Sequence, residues 1–264
     1  MKILCVLLLL VGSTACAQPQ ETGFVKRQLT FQDTEMCYQV FVPPGYSADK
    51  GWPVILFLHG AGERGTDCEE QAAVGLGPAV RQHMQDFPAI VVFPQAPPRS
   101  LWIGAMQDMA MAALQQTKAE FNVDTTRIYL TGLSMGGYGT WYLAAHSPGV
   151  FAAIAPVCGG VLPPQMRYGL PPEIAAYIPK DKPYETIAAK IGSTPTWIFH
   201  GDADDRVPVT ESRQMYQALK AAGGDVRYTE YPGVPHNSWD KAYAETGFYE
   251  WLFAQRLGNR LSKE

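Results

Sequence analysis

The residues with the most distinctive chemistry lie in one short segment, Gly132-Leu133-Ser134-Met135-Gly136-Gly137. It follows a predicted strand at 127–131 and opens a predicted helix at 136–146. A Gly-x-Ser-x-Gly sequence at a strand–turn–helix junction is typical of a nucleophile elbow, in which a tight turn lifts the serine oxygen out of the sheet. The Met135 amide would then lie at the helix N-terminus and face a developing oxyanion. We therefore predict that Ser134 is a nucleophile, in preference to a residue of a glycine-rich helix cap.

A serine hydroxyl is a weak nucleophile until a general base accepts its proton, so the five histidines are the next candidates. His236 lies in a loop between the last predicted strand and the last predicted helix, and such a loop delivers side chains to the carboxyl ends of strands. It also follows the candidate acids, as the chain order Ser, Asp, His requires. We predict His236 as the base, structural positions at strand ends for His59 and His200, and surface positions for His83 and His146.

Three aspartates compete for the role of the acid that orients the base. Asp202, Asp204 and Asp205 all follow the predicted strand at 196–199, which precedes the strand next to His236. Surplus acids in a turn usually cap the backbone or face solvent, so one of the three is expected to act. Spacing alone does not choose among them.

The loop after an early strand is expected to supply a second oxyanion donor. Residues 59–65, His-Gly-Ala-Gly-Glu-Arg-Gly, follow a predicted strand at 54–58. Its glycines allow backbone amides to face a substrate carbonyl. We predict the Ala61 amide as this donor, with Gly62 as the alternative.

The elements that must position these residues alternate between strands and helices, which indicates an α/β fold with a mostly parallel sheet and helices on both faces. Continuous apolar runs predict strands that are buried on both faces. Two leading strands are expected to form an antiparallel edge. The predicted strands are 24–31, 36–42, 54–58, 89–93, 127–131, 152–157, 196–199 and 226–231, and the predicted helices are 107–121, 136–146, 211–222 and 239–257.

Composition limits the class of protein. The chain has 264 residues, of which 47% are hydrophobic and 17% charged, so it is expected to fold around its own core. The net charge of -4 comes with no basic patch, which argues against a nucleic-acid partner. No linker divides residues 18–264, which we predict to form a single catalytic domain with a proline-rich excursion at 161–182.

The first residues indicate export. Lys2 is followed by an apolar run at 3–11 and by small residues up to Ala17, the pattern of a secretory signal peptide at 1–17. Ser-Thr-Ala-Cys also resembles a lipoprotein cleavage site, with Cys16 as the lipidated first residue. We predict a periplasmic or secreted protein, which would contact a membrane only through a lipid on Cys16.

Three cysteines remain beyond the signal, namely Cys37, Cys68 and Cys158. Export permits a disulfide, and Cys68 with Cys158 is the preferred pair because both are expected to follow strands on the same side of the sheet. The alternative is three unpaired thiols. The cysteine and histidine spacings do not suggest a metal site.

Together these segments give the chain a family resemblance from about Tyr38 to Leu252. It resembles the α/β-hydrolase superfamily, and more narrowly the small secreted bacterial carboxylesterases of the phospholipase/carboxylesterase type. These include "predicted peptidase" esterases, feruloyl esterases and enzymes similar to polyhydroxybutyrate depolymerases. The resemblance rests on YQVFVPPGY at 38–46, LHGAGERG at 58–65, GLSMGGYGTW at 132–141, HGDAD at 200–204 and YPGVPHNSW at 231–239.

The resemblance implies a serine triad that needs no metal and no cofactor. In the family's His-Gly-x-x-Asp pattern the catalytic acid falls on Asp204, although the proline that often follows this acid is replaced here by Asp205. Ser134, Asp204 and His236 would form the triad, and the Met135 and Ala61 amides would bind the oxyanion.

The sequence predicts the type of reaction more specifically than it predicts the substrate. Gly62, Trp102 and Trp239 are candidate substrate-binding residues, although packing under a loop or in the core would also account for the two tryptophans. The absence of a long apolar lid helix in the sequence favours short-chain or small soluble esters. The alternatives are feruloyl or acetyl esters on plant polysaccharide, peptides cleaved by a serine peptidase, and a secreted binding protein with a relic site. The oligomeric state is not predicted.

Overall fold

The computed structural model describes residues 21–162, 172–177 and 181–258. The predicted signal peptide at 1–17, with Cys16, lies outside the described residues. So does most of the proline-rich segment 161–182, of which only 161–162, 172–177 and 181–182 are described. Within the described ranges, no helix combines the length and apolar character that a membrane crossing requires.

One eight-stranded sheet runs through the described chain, and it confirms the predicted α/β class. Its strands are β1 (Gly23–Phe31), β2 (Thr34–Val42), β3 (Trp52–Leu58), β4 (Ile90–Pro94), β5 (Val123–Leu133), β6 (Ala153–Val157), β7 (Thr196–Gly201) and β8 (Val226–Tyr231). Their order across the sheet is β1-β2-β4-β3-β5-β6-β7-β8. The β1–β2 and β2–β4 pairs are antiparallel and the other neighbours are parallel, so the N-terminal edge is antiparallel as predicted.

Helices cover both faces of this sheet. Met109 of α2 and Ile187 of α5 belong to the core on one face, whereas Leu76 of α1 and Trp251 of α8 belong to the core on the other. The helices are α1 (Leu76–Gln82), α2 (Ala105–Glu120), α3 (Met135–His146), α4 (Pro172–Tyr177), α5 (Pro183–Ile191), α6 (Thr210–Ala221), α7 (Trp239–Ala242) and α8 (Phe248–Ala254), with a short 3-10 turn at Glu70–Ala72. We predicted no helix bounds for α1, α4 or α5 from the sequence.

The central strand β3 shows why continuous apolar runs form the middle of the sheet. All seven of its residues are buried. Successive side chains of a strand point to opposite faces, so Leu56 and Leu58 join one core while Ile55 and Phe57 join the other. Burying each such side chain stabilises the fold by about 1.5–3 kcal/mol.

The prediction of one helix at 239–257 is wrong. The segment forms two short helices, α7 and α8, and Gly247 precedes the second with a φ of 77°. A left-handed residue at that position ends any continuous helix, and glycine adopts it without strain. Phe248, Trp251 and Leu252 still recur at the helical spacing that suggested a helix, and all three are buried.

The disulfide joins a different pair from the one predicted. Cys37 is bonded to Cys68 with their Cα atoms 5.5 Å apart, and Cys158 is a buried free thiol. Cys37 lies on β2, and the long connection after β3 carries Cys68 back over this antiparallel edge. Cys158 follows β6, which β4, β3 and β5 separate from β2. The preference for Cys68 with Cys158 therefore failed because the sequence did not reveal the path of that connection.

Removing this disulfide is expected to destabilise the fold. A Cys37→Ser/Cys68→Ser variant should lose about 2–4 kcal/mol of unfolding free energy, because the bond closes a loop across a sequence separation of 31 residues. Urea titration of the oxidised protein measures this loss. Reduced wild-type protein should unfold at the same urea concentration as the variant, and equal midpoints for oxidised and reduced wild type would contradict the prediction.

Candidate active site

Ser134 occupies the turn between β5 and α3. Its φ is 53°, in the left-handed region that residues other than glycine rarely adopt. Two backbone hydrogen bonds hold it there: its amide donates to the Val157 carbonyl at 3.0 Å, and its carbonyl accepts from the Tyr138 amide at 3.1 Å. Strain of this kind persists where the surrounding structure fixes it, and it is common at functional sites. The turn is the nucleophile elbow that the motif predicts.

The glycines of the motif are required by close backbone packing. A Cβ atom on Gly136 would lie 1.8 Å from the Leu58 carbonyl oxygen at the end of β3. A Cβ on Gly132 would lie 2.5 Å from the Gly136 carbonyl oxygen. Since neither contact can be relieved by turning a side chain, the start of α3 packs directly on the end of β3.

Three side chains from separate parts of the chain form one hydrogen-bonded series. The Ser134 hydroxyl donates to Nε2 of His236 at 2.9 Å, and Nδ1 of His236 donates to Oδ2 of Asp204 at 2.7 Å. Asp204 follows β7 and His236 lies between β8 and α7. They meet because the carboxyl ends of parallel strands share one edge of the sheet.

The structure distinguishes among the three aspartates that spacing left open. The Asp204 side chain is fully buried, and its Oδ1 accepts from the Arg206 amide at 2.8 Å and the Val207 amide at 2.9 Å. Asp202 instead accepts from the Gly233 amide at 2.6 Å, and Asp205 is 77% exposed. Asp204 is the one that contacts His236.

The hydrogen bonds to Asp204 keep it ionised. Burial alone would raise the pKa of this carboxyl, but donation by His200, by His236 and by two backbone amides outweighs burial and holds the pKa well below its usual range. His200 is the residue that sequence reasoning missed, since we expected only a structural position for it. Its place four residues before Asp204 was the available signal.

The predicted oxyanion donors face the same cavity as Ser134. Met135 is the first residue of α3, where backbone amides lack helical partners, and Ala61 lies in the loop after β3. Both residues line this cavity, as does Gly62, the alternative to Ala61. The arrangement therefore brings backbone amides from two elements to the cavity that Ser134 lines.

The cavity has a volume of about 830 Å³, and its lining combines aromatic and aliphatic side chains with charged ones, namely Glu63, Arg64, Asp205 and Arg206. Trp102 lines it while being 1% exposed, and its indole donates to the His59 carbonyl at 2.9 Å, so it packs under the loop as well. Trp239 also lines the cavity. Its ring lies edge to face with the His236 ring, with the two ring centroids 5.5 Å apart. Further lining residues include Leu101, Ile103, Tyr138, Tyr142 and Val207.

His59 connects the loop after β3 to the segment that follows β4 through two hydrogen bonds. Its Nε2 accepts from the Ala96 amide at 2.9 Å, so its proton is on Nδ1, which donates to the Gly60 carbonyl at 2.6 Å. Burial lowers the pKa of His59 to about 4. The neutral ring is therefore part of the folded structure.

Acidification is expected to destabilise the fold through His59. The unfolded chain binds a proton near pH 6.5 and the folded chain only near pH 4, so the unfolded state binds more protons between these values. Stability is complete above pH 6.5 and falls by about 2–3 kcal/mol towards pH 4. Urea titrations between pH 7 and 4 test this against His59→Gln, which should lose less stability over the same interval. Equal losses in the two proteins would show that His59 does not contribute.

One group among the described residues has the composition of a metal site. Ligand atoms of Cys158, Asp204 and His236 lie within 4.8 Å of one another. However, Asp204 Oδ2 and both His236 nitrogens are engaged in the hydrogen bonds given above. Burial also raises the pKa of the Cys158 thiol, which keeps it protonated and a poor ligand. The chemistry of these groups fits the serine–histidine–aspartate series better than a metal centre.

Known proteins share this sequence pattern and fold. A thermostable esterase of known structure is 33% identical and superposes with a TM-score of 0.74, covering 88% of this chain and 63% of the esterase chain. A poly(3-hydroxyoctanoate) depolymerase of Pseudomonas fluorescens is 28% identical over 207 residues, covering 71% of this chain and 69% of the depolymerase. An uncharacterized secreted protein of Arthroderma benhamiae is 28% identical over 206 residues, covering 70% of this chain and 21% of that protein.

The family match includes the residues described above. The chain spans between 21% and 38% of the length of four curated relatives that it matches. The model of the prolyl oligopeptidase family (Peptidase_S9) matches residues 102–257, more than half of the 264 residues. Ser134, Asp204 and His236 all fall inside that range, whereas Ala61 precedes it. The chain therefore belongs to the prolyl oligopeptidase family and has the α/β-hydrolase fold.

Proposed function

We propose that this protein is a serine carboxylesterase that hydrolyses short-chain or small soluble carboxylic esters through an acyl-enzyme on Ser134. The observation that carries the proposal is the hydrogen-bonded series from Ser134 through His236 to Asp204, which opens on the cavity of about 830 Å³. The 33% identity to a thermostable esterase and the 28% identity to a polyester depolymerase support ester cleavage.

Acylation would use each contact of the series. The Ser134 oxygen attacks the carbonyl carbon of the ester while Nε2 of His236 accepts the hydroxyl proton. The Met135 and Ala61 amides donate to the oxyanion that forms. Asp204 holds the ring tautomer and stabilises the imidazolium. When the carbon–oxygen bond of the ester breaks, the alcohol leaves with the proton from His236.

Deacylation repeats these steps with water. His236 accepts a proton from water as its oxygen attacks the acyl carbon, and the same amides hold the second oxyanion. The carboxylic acid then leaves as Ser134 regains a proton from His236. Each proton is returned, so the sequence of steps needs no external acid, base or redox partner.

A second candidate substrate is an aromatic ester such as a feruloyl group on plant polysaccharide. Trp102, Tyr138, Tyr142 and Trp239 line the cavity, and aromatic side chains offer flat surfaces on which an aromatic acid can stack. An acetyl group on the same polymer would need less of this surface. A peptide substrate is the further alternative, in keeping with the family name.

A matched substrate panel tests these alternatives with the mature protein. We would measure kcat/KM for p-nitrophenyl acetate, butyrate and decanoate, for methyl ferulate and for acetyl-p-nitroanilide. Faster turnover of acetate and butyrate than of decanoate is expected for the proposed function. Methyl ferulate as the best substrate would favour the aromatic ester, and an anilide rate that matches the esters would favour a peptidase. A folded protein inactive on all five would contradict the esterase and favour a binding protein.

We also propose that the protein is exported. The Lys2-led apolar run supports this, and so does the Cys37–Cys68 disulfide, because such bonds persist mainly in oxidising compartments. Fractionation of cells that express the full chain would test it. Release from the membrane fraction in a Cys16→Ala variant would indicate a lipid anchor, and retention of the wild type in the cytoplasm would contradict export.

A further inference from the structure

His200 is a second histidine in contact with the proposed catalytic acid. It lies near the end of β7 with its side chain fully buried, and its Nε2 is 3.1 Å from Oδ2 of Asp204. This is the carboxylate oxygen that accepts from Nδ1 of His236. Two imidazole rings therefore share one oxygen of Asp204.

The other contacts of His200 place a proton on its Nε2. Nε2 also lies 3.0 Å from the Val207 carbonyl oxygen, which can only accept a hydrogen bond. The proton therefore belongs on Nε2, where it is shared between Val207 and Asp204. Nδ1 lies 2.7 Å from the Ser212 hydroxyl of α6, which can donate to it. The side chains of His200 and Asp204 are both fully buried, so water cannot replace a lost donor at low cost.

We propose that His200 is a positioning residue, which orients Asp204 and sets how strongly this carboxylate interacts with the His236 ring. The inference rests on the proposed function, because it concerns the same serine, histidine and aspartate. With His200 and His236 on Oδ2 and the Arg206 and Val207 amides on Oδ1, the carboxylate has donors on both oxygens. Its plane is therefore fixed before substrate binds.

Several other polar groups surround this series. The Cys158 thiol approaches Asp204 and His236 from the end of β6, and Ser134 approaches His236 from β5. His200 is the cross-strand partner of Glu230 of β8, and Glu230 pairs with Arg213 of α6 at 2.6 Å. Burial raises the pKa of Tyr138 of α3, and the Asp204 charge acts in the same direction. Asp205 and Arg206 line the cavity with largely exposed side chains. Of these groups, only His200 and His236 have ring nitrogens within hydrogen-bonding distance of Asp204 Oδ2.

The loss of His200 has a consequence that lost packing alone does not have. Its N–H draws negative charge on Oδ2 away from His236. Without this donor, Oδ2 interacts more strongly with the positively charged form of the base, so a larger share of the enzyme holds an inactive protonated base at mildly acidic pH. The acid side of the kcat/KM profile should therefore move to higher pH.

The closing experiment compares His200→Leu with His200→Gln. In His200→Leu, kcat should fall about 10- to 100-fold with KM little changed, as expected for a lost hydrogen bond to a charged group. The half-point on the acid side of the pH profile should rise by about half a unit. In His200→Gln the amide N–H₂ occupies the place of Nε2, so the wild-type profile and most of kcat should return.

Two further measurements keep the outcomes distinct. Thr196→Val removes a buried hydroxyl at the other end of β7, whose bond to the Thr194 carbonyl is 2.9 Å, and it should lower stability without moving the pH profile. The rate at which a small fluorophosphonate modifies Ser134 reports activation of the serine without any ester. If the fluorophosphonate labelled Ser134 but the protein hydrolysed no ester, the proposed esterase function would be contradicted and the inference about His200 would not. If His200→Leu left kcat, labelling rate and half-point unchanged, or if His200→Gln restored none of them, the inference would be overturned.

Discussion

A Ser134→Ala variant is expected to lose ester turnover by about 10⁵- to 10⁶-fold in kcat while remaining folded. The alanine removes the oxygen that attacks the carbonyl and leaves the backbone of the turn in place. Within residues 21–162, 172–177 and 181–258 this hydroxyl has one side-chain hydrogen-bond partner, His236, so the unfolding free energy should change by less than about 1 kcal/mol. Binding of substrate should persist because every other residue that lines the cavity is unchanged.

The matched control for this variant is Ser147→Ala. Ser147 caps the opposite end of α3, away from the cavity, so its loss should leave kcat unaltered. Steady-state hydrolysis of p-nitrophenyl butyrate and urea unfolding of both variants give the two readouts. If more than about 1% of wild-type turnover survived in folded Ser134→Ala, the hydroxyl would not be the nucleophile.

The second large effect is expected at Asp204. An Asp204→Asn variant removes the charge that faces His236 and presents an amide that can hold the wrong ring tautomer, so kcat at neutral pH should fall about 10⁴-fold. The unfolding free energy should also fall, because the buried Arg206 and Val207 amides lose a charged acceptor.

The neighbouring aspartates supply internal controls for the same change of side chain. Asp205 lines the cavity, but its side chain is 77% exposed, so Asp205→Asn should keep kcat within about twofold and confine any larger effect to KM. Asp202→Asn weakens the 2.6 Å bond to the Gly233 amide and should cost about 1 kcal/mol of stability with little loss of kcat. If Asp202→Asn or Asp205→Asn reduced kcat more than Asp204→Asn, the assignment of the acid would be wrong.

Much of the proposed site follows from local sequence. The elbow could be predicted because Gly132 and Gly136 have backbone requirements that few other residues meet, and because the elbow joins a buried apolar strand to a helix. His236 followed from chain order and from its loop beside the last strand. The geometry of the parallel sheet then brings these positions to one edge, whatever the exact strand bounds.

Other features depend on contacts that sequence spacing does not encode. Asp202, Asp204 and Asp205 differ only in which direction a tight turn points each carboxylate, and only the resemblance to a family favoured Asp204. The partner of Cys68 depends on the path of a long connection over the sheet edge. Similarly, we predicted one helix from Trp239 to Leu257, but Gly247, in a left-handed conformation, divides the segment into two short helices.

The close packing of Gly136 on Leu58 affects how far the backbone amides must move when negative charge develops on a bound carbonyl oxygen. The start of α3 packs against the end of β3. The first of these elements carries the Met135 amide, and the second leads into the loop that contains Ala61. The spacing between these two amides is therefore fixed by backbone atoms that already touch, and neither has to move when charge appears on a bound carbonyl oxygen. In water the same charge would first require solvent dipoles to turn, so the rigid contact lowers the reorganisation energy of the proposed reaction.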